Sequence, residues 1–201
     1  MFLAVGLGNP GRKYEGNRHN VGFMAADELR SAFGLPDYKD KFSGVWTKGD
    51  ALAILKPGTY MNLSGDCVQP AGAFLKVPPA EVIVLHDELD LAFGDVRLKF
   101  GGGHAGHNGL RSIIERLGTP DFVRVRIGIG RPPPGFRGDV ADYVLQNFDP
   151  SEKAELPDVI GRALDATKRV LADGLSAAMN AVNQKKVSTA KPPRPPKPEK
   201  V

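Results

Sequence analysis

The 201-residue sequence holds one cysteine, Cys67, which excludes an intramolecular disulfide and any zinc site built on several thiolates. Long apolar runs are missing too. No stretch approaches the roughly 18 residues that span a bilayer, and Met1-Phe2-Leu3-Ala4-Val5 has neither the basic start nor the length of a signal peptide. The expectation is a soluble, cytoplasmic protein without a membrane partner. There is no G-x-S-x-G, no Gly-Lys-Ser/Thr behind a glycine loop and no H-E-x-x-H, so a serine nucleophile elbow, a Walker site and a zincin site are all unsupported. What is present is ordinary globular material, 41% hydrophobic and 25% charged, in a length that suits one domain. Glycine (24) and proline (17) exceed usual frequencies of about 7% and 5%, which predicts much functional loop.

The net charge of +4 is unevenly spread. Residues 185–201 carry six Lys/Arg and one Glu, leaving the body at −1; within that body, 96–138 has eight cations against two carboxylates. A segregated basic segment of this kind suits a face that meets a polyanion. The 185–201 segment, with Pro192-Pro193-Arg194-Pro195-Pro196, has little to bury and reads as a disordered, basic, Pro-rich tail.

Alternating apolar and polar spacing predicts the elements. Residues 2–7 and 82–85 are short apolar runs typical of buried strands, the second ending in His86-Asp87. Segments 43–48 and 51–56 read as a hairpin, and 96–100 and 123–129 as further strands. Helices are expected from Asn20, as cap, to Phe33, over 110–117 and 139–145, and from the Asp149-Pro150-Ser151-Glu152 start to about 172. A final helix covers 175–183, whereas Pro70 and Gly72 weaken the case for one at 66–76. The fold class is α/β: a single domain, 1–184, with a twisted mixed β-sheet flanked by helices.

Gly6-Leu7-Gly8-Asn9-Pro10-Gly11 has dinucleotide-loop spacing, but Pro10, Gly11 and Gly16 break the helix that such a loop must enter. All four histidines fall in two polar clusters, His19 in one and His86, His104 and His107 in the other with Asp87. An imidazole held by a carboxylate is a general base. A metal is the rival reading, since His104-x-x-His107 with Asp87 or His19 offers nitrogen and oxygen ligands. The glycine loop 101–109 allows close backbone approach by a ligand, with helix-end N–H groups for an anion.

Taken in order, these segments resemble one family. Val5-Gly6-Leu7-Gly8-Asn9-Pro10-Gly11, Tyr14, Arg18-His19-Asn20-Val21-Gly22-Phe23, Lys56-Pro57 with Met61-Asn62-Leu63-Ser64-Gly65, His86-Asp87-Glu88-Leu89-Asp90-Leu91, Gly101-Gly102-Gly103-His104 with Gly106-His107-Asn108-Gly109-Leu110, and Arg126-Ile127-Gly128-Ile129-Gly130 are similar to the successive motifs of bacterial-type peptidyl-tRNA hydrolase. The resemblance implies a monomeric enzyme, with no cofactor or metal, that cleaves the ester of peptidyl-tRNA. It implies catalytic roles for His19 as base, Asp87 as its orienting carboxylate, and Asn9, Asn62 and Asn108. Substrate contacts would come from Tyr14, Met61, Asn62, His107 and Asn108, and phosphate contacts from Lys99 and Arg126. A catalytically silent RNA-binding relative would lack His19 or Asp87, and both are present. Asn17, Ala92-Phe93 and Ala105 depart from the family pattern, which has Thr, a Pro pair and usually Gly there.

Overall fold

A computed structural model describes residues 1–184. The tail expected over 185–201 lies outside the described residues. Among the described residues, seven strands form one sheet in the order β2-β3-β4-β1-β5-β7-β6. β1 (Phe2–Gly6), β4 (Leu52–Pro57), β5 (Val82–Glu88) and β7 (Val123–Gly128) run parallel. β2 (Lys39–Lys41), β3 (Gly44–Lys48) and β6 (Val96–Phe100) pair antiparallel at the edges. The expected mixed sheet and the hairpin of β3 and β4 are both present. The short edge strand β2 was not expected; its Lys-Asp-Lys sequence carries no apolar alternation from which to read it.

Helices cover both faces, which is why β1 and β5 are apolar on each side. One face packs against α1 (Val21–Ala32), α5 (Pro150–Asp173) and α6 (Leu175–Val182). The other packs against α2 (Gly65–Leu75) and α3 (Asn108–Leu117). A five-residue helix, α4 (Val140–Val144), lies between β7 and α5. Within the described residues, no helix is long and apolar enough to cross a membrane.

Several boundaries differ from expectation for physical reasons. α2 forms despite Pro70, because Cys67, Val68 and Ala71 bury into the α2–α3 layer and outweigh one lost backbone bond. β5 continues through Glu88, since β7 supplies partners as far as Gly128; His86 and Asp87 are therefore strand residues, not the start of a loop. α3 starts at Asn108, with His107 as its cap. Asn20 occupies the cap position of α1 but does not cap it: the side chain bonds the Asn9 backbone instead.

Gly22 lets α1 lie directly on the strand ends, where an added Cβ would fall 2.3 Å from the Leu85 carbonyl oxygen and 2.6 Å from Leu7 N. At the far edge, Asn183 acts as a surrogate strand partner for β6: its Oδ1 accepts from Leu98 N at 2.8 Å and its Nδ2 donates to Leu98 O at 2.7 Å.

Candidate active site

β1 leaves the sheet toward α1 on one face, whereas the chain after β5 runs through the edge strand β6 and from there to α3 on the other. Adjacent parallel strands whose exits diverge leave a crevice at their carboxyl ends, where open α/β sheets hold ligands. A cleft of about 810 Å³ opens here, and Asn9, His19, Met61, Asn62, Asp87 and Asn108 all line it.

Asp87 is the centre. Its Oδ1 lies 2.9 Å from His19 Nδ1 and 3.0 Å from His107 Nε2. The tautomer of His107 follows from its other nitrogen, because Nδ1 accepts the N–H groups of Gly109 (3.1 Å) and Leu110 (3.3 Å) and so carries no proton. Nε2–H therefore donates to Asp87. Burial disfavours the charge on Asp87, yet the two imidazoles outweigh it and hold the carboxyl well below its usual range. For His19, burial also opposes the charged form, and the Asp87 carboxylate overcomes it to raise the imidazole above its ordinary value. His86 behaves oppositely. It is fully buried beside His107, is pushed down to about 3, donates from Nδ1 to Asp87 O at 2.7 Å and leaves Nε2 without a partner. It is a neutral wall of the site.

This donor set does not fit a metal. His19, Asp87 and His107 bring ligand atoms within 4.8 Å of one another. A cation there would need the lone pair of His107 at Nε2 and hence a proton on Nδ1, which faces two backbone donors. The His104–His107 pair of the rival metal reading also fails to converge, since His104 Nδ1 accepts from Gly106 N in its own loop. The expectation of free N–H groups for an anion at the start of α3 is corrected too. His107 has taken two of them.

The family model described as Peptidyl-tRNA hydrolase matches residues 3–190. The chain belongs to the peptidyl-tRNA hydrolase family. It is 59% identical over 187 residues to the peptidyl-tRNA hydrolase of Sorangium cellulosum (strain So ce56), covering 91% of this chain and 84% of that one. Identity to the peptidyl-tRNA hydrolase of Geotalea daltonii is 50% over 188 residues, covering 91% and 96%. The crystal structure of peptidyl-tRNA hydrolase from Acinetobacter baumannii superposes with a TM-score of 0.84 at 39% identity, covering 92% of this chain and 95% of that one.

Other residues anticipated for a peptidyl-tRNA hydrolase are placed as follows. Asn9 Oδ1 accepts from Met61 N at 2.8 Å, leaving its amide NH₂ as a donor, while Asn20 grips the Asn9 backbone from both sides. Met61 is buried in the cleft floor, and Asn62 and Asn108 are exposed on its rim. Tyr14 is not among the cleft residues. It sits on the 3₁₀ turn Arg12–Tyr14 after Gly11, with the Lys13 ammonium 4.7 Å over its ring. Tyr60, 60% exposed, lines the cleft instead, and its place directly before Met61-Asn62 was the available signal.

The basic segment is less bare than its composition. Lys99, Arg111, Arg124, Arg126 and Arg131 line the cleft, but Asp87, Glu88 and Asp90 stand among them. Arg126 Nε pairs with Glu88 at 2.8 Å, Arg131 pairs with Asp90, and Arg124 bonds the Gly102 and Gly103 carbonyls. Arg97 and Arg116 find acceptors away from the cleft. Lys99 lies diagonally across the β6–β7 ladder from Arg126, beside the would-be Cβ of Gly102.

Proposed function

We propose that the protein hydrolyses the ester joining a peptide to the 3′ end of tRNA, using His19 to activate water. The observation that carries this reading is the contact of His19 Nδ1 with Asp87 Oδ1. It fixes the proton on Nδ1 and leaves the Nε2 lone pair of a cleft-lining imidazole free to take a proton from water. The water oxygen attacks the ester carbonyl as its proton passes to Nε2, and Asp87 stabilises the imidazolium. Collapse of the tetrahedral adduct breaks the bond to the ribose oxygen, which recovers the proton from Nε2.

The amide NH₂ of Asn9 and the side chains of Asn62 and Asn108 are suited to the developing oxyanion and the peptide amide, because they donate without titrating. Met61 and His107 shape the cleft around the substrate. Lys99 and Arg126 take tRNA phosphate, a contact indifferent to sequence as an enzyme acting on many tRNAs requires. Residues 1–184 form the catalytic unit, acting as a single cytoplasmic chain without a cofactor. The test is ester cleavage of N-acyl-aminoacyl-tRNA against free aminoacyl-tRNA, with chelator present. His19→Ala should lower turnover by about 10²–10⁴, the usual contribution of a general base. Near-normal turnover in the folded variant would end the assignment.

A further inference from the structure

The residue before the proposed base has its own network. Arg18, His19 and Asn20 form a single 3₁₀ turn whose side chains reach three different elements. His19 meets β5 through Asp87, and Asn20 holds the loop after β1 through Asn9. Arg18 goes the other way. Its side chain, 3% exposed, donates from Nη2 to Glu152 Oε2 at 2.6 Å and from Nη1 to the Asn147 carbonyl. The guanidinium lies 4.6 Å from the Tyr143 ring centroid and 5.5 Å from that of Phe148. Its backbone N–H donates to Gln146 O at 2.9 Å, and Asn17 bridges Asn147. Glu152 Oε2 also accepts Asp149 N–H at 2.8 Å, so one carboxylate oxygen both closes the start of α5 and grips Arg18.

We infer that Arg18 is a positioning residue for His19: it bolts the turn bearing the imidazole to the α4–α5 junction and thereby fixes both the base and the cleft wall. The wall is part of the claim because Val140, Ala141, Val144 and Leu145 of α4 and its end line the cleft. A planar, always charged guanidinium is needed to bond a carboxylate and a carbonyl while stacking between two rings, and a lysine cannot do all three. The inference rests on the reading of His19 as base.

The test compares Arg18→Lys, Glu152→Gln and His19→Ala in the full chain, at a temperature where circular dichroism finds each folded. Glutamine keeps the helix-start bond of Glu152 but removes its charge, so it covers the case in which Arg18→Lys does not fold. Both variants should lose about tenfold or more in kcat with KM within about threefold. The downfield N–H resonance of the His19–Asp87 hydrogen bond should broaden or shift in each. Folded variants with wild-type kcat and an unchanged resonance, beside an inactive His19→Ala, would overturn the inference alone. An active His19→Ala would overturn the reading beneath it as well.

Discussion

Acid should destabilise this fold through one buried imidazole. In the folded protein His86 is held neutral, pushed down to about 3 first by burial and then by its neighbour His107. In the unfolded chain it titrates near the ordinary value of about 6.5. Below that pH the unfolded chain takes up a proton that the folded one refuses, so stability falls as pH drops from about 6.5 toward 3 and is indifferent to His86 above 6.5. One proton of difference amounts to about 1.4 kcal/mol per pH unit, and integration from pH 6.5 to 4.5 gives a loss of about 2–3 kcal/mol. The neighbouring groups do not mask this window. His19, raised by Asp87, contributes its full stabilisation below 6.5 and loses it only as pH rises through its folded value, while the depressed Asp87 gives up its share below the ordinary carboxyl range. The assay is urea unfolding at several pH values in wild type and in His86→Asn, whose amide can still donate to the Asp87 carbonyl but does not titrate. The variant should be less stable at pH 7 and flatter between 6.5 and 4.5. Equal slopes in the two proteins would refute the reasoning.

Because Asp87 raises His19, the base becomes neutral only as pH climbs, so kcat/KM should rise with pH through a midpoint above 6.5. Asp87→Asn should lower that midpoint and slow turnover by about 10² or more; an unmoved midpoint would separate the two residues. Lys99→Ala should weaken tRNA binding and reduce the slope of log K against log salt by about 0.7–0.9, whereas Arg126→Ala should do less, being already paired with Glu88. Glu88→Gln should then tighten binding, as filter binding across a salt series would reveal. Gly22→Ala must push α1 off the Leu85 carbonyl, and a loss of about 3 kcal/mol in chemical unfolding is expected; a neutral result would mean that the helix tolerates a shift.

Much of the sheet was legible in the sequence because β1 and β5 are buried on both faces and read as short apolar runs, while β6, half-exposed on one face, reads as an alternating one. β2 was not, since a three-residue edge strand of charged residues is defined by its partner, not by its own pattern. At α2 the local signal from Pro70 misled, and burial against α3 decided. Within the site, His19 and Asp87 sit 68 residues apart and their pairing came from resemblance; spacing alone left a metal open. What composition could not reveal was orientation. The cations of 96–138 look like one patch in the chain, but Glu88 and Asp90 arrive among them from β5 and the loop after it.

The amide of Asn183 has a consequence for behaviour at high concentration. A sheet ends in two rows of unpaired backbone groups, and such rows invite another chain to add a strand. On the β2 side the defence is a strand of only three residues with exposed Lys39 and Lys41. β6 is longer and carries Leu98 at its centre, but the Leu98 N–H and C=O are already engaged by Asn183. The chain thus caps the middle of its own sheet edge just as α6 ends. A version cut back past Asn183 would expose a five-residue template, and its expected failing is aggregation during preparation well before any loss of turnover.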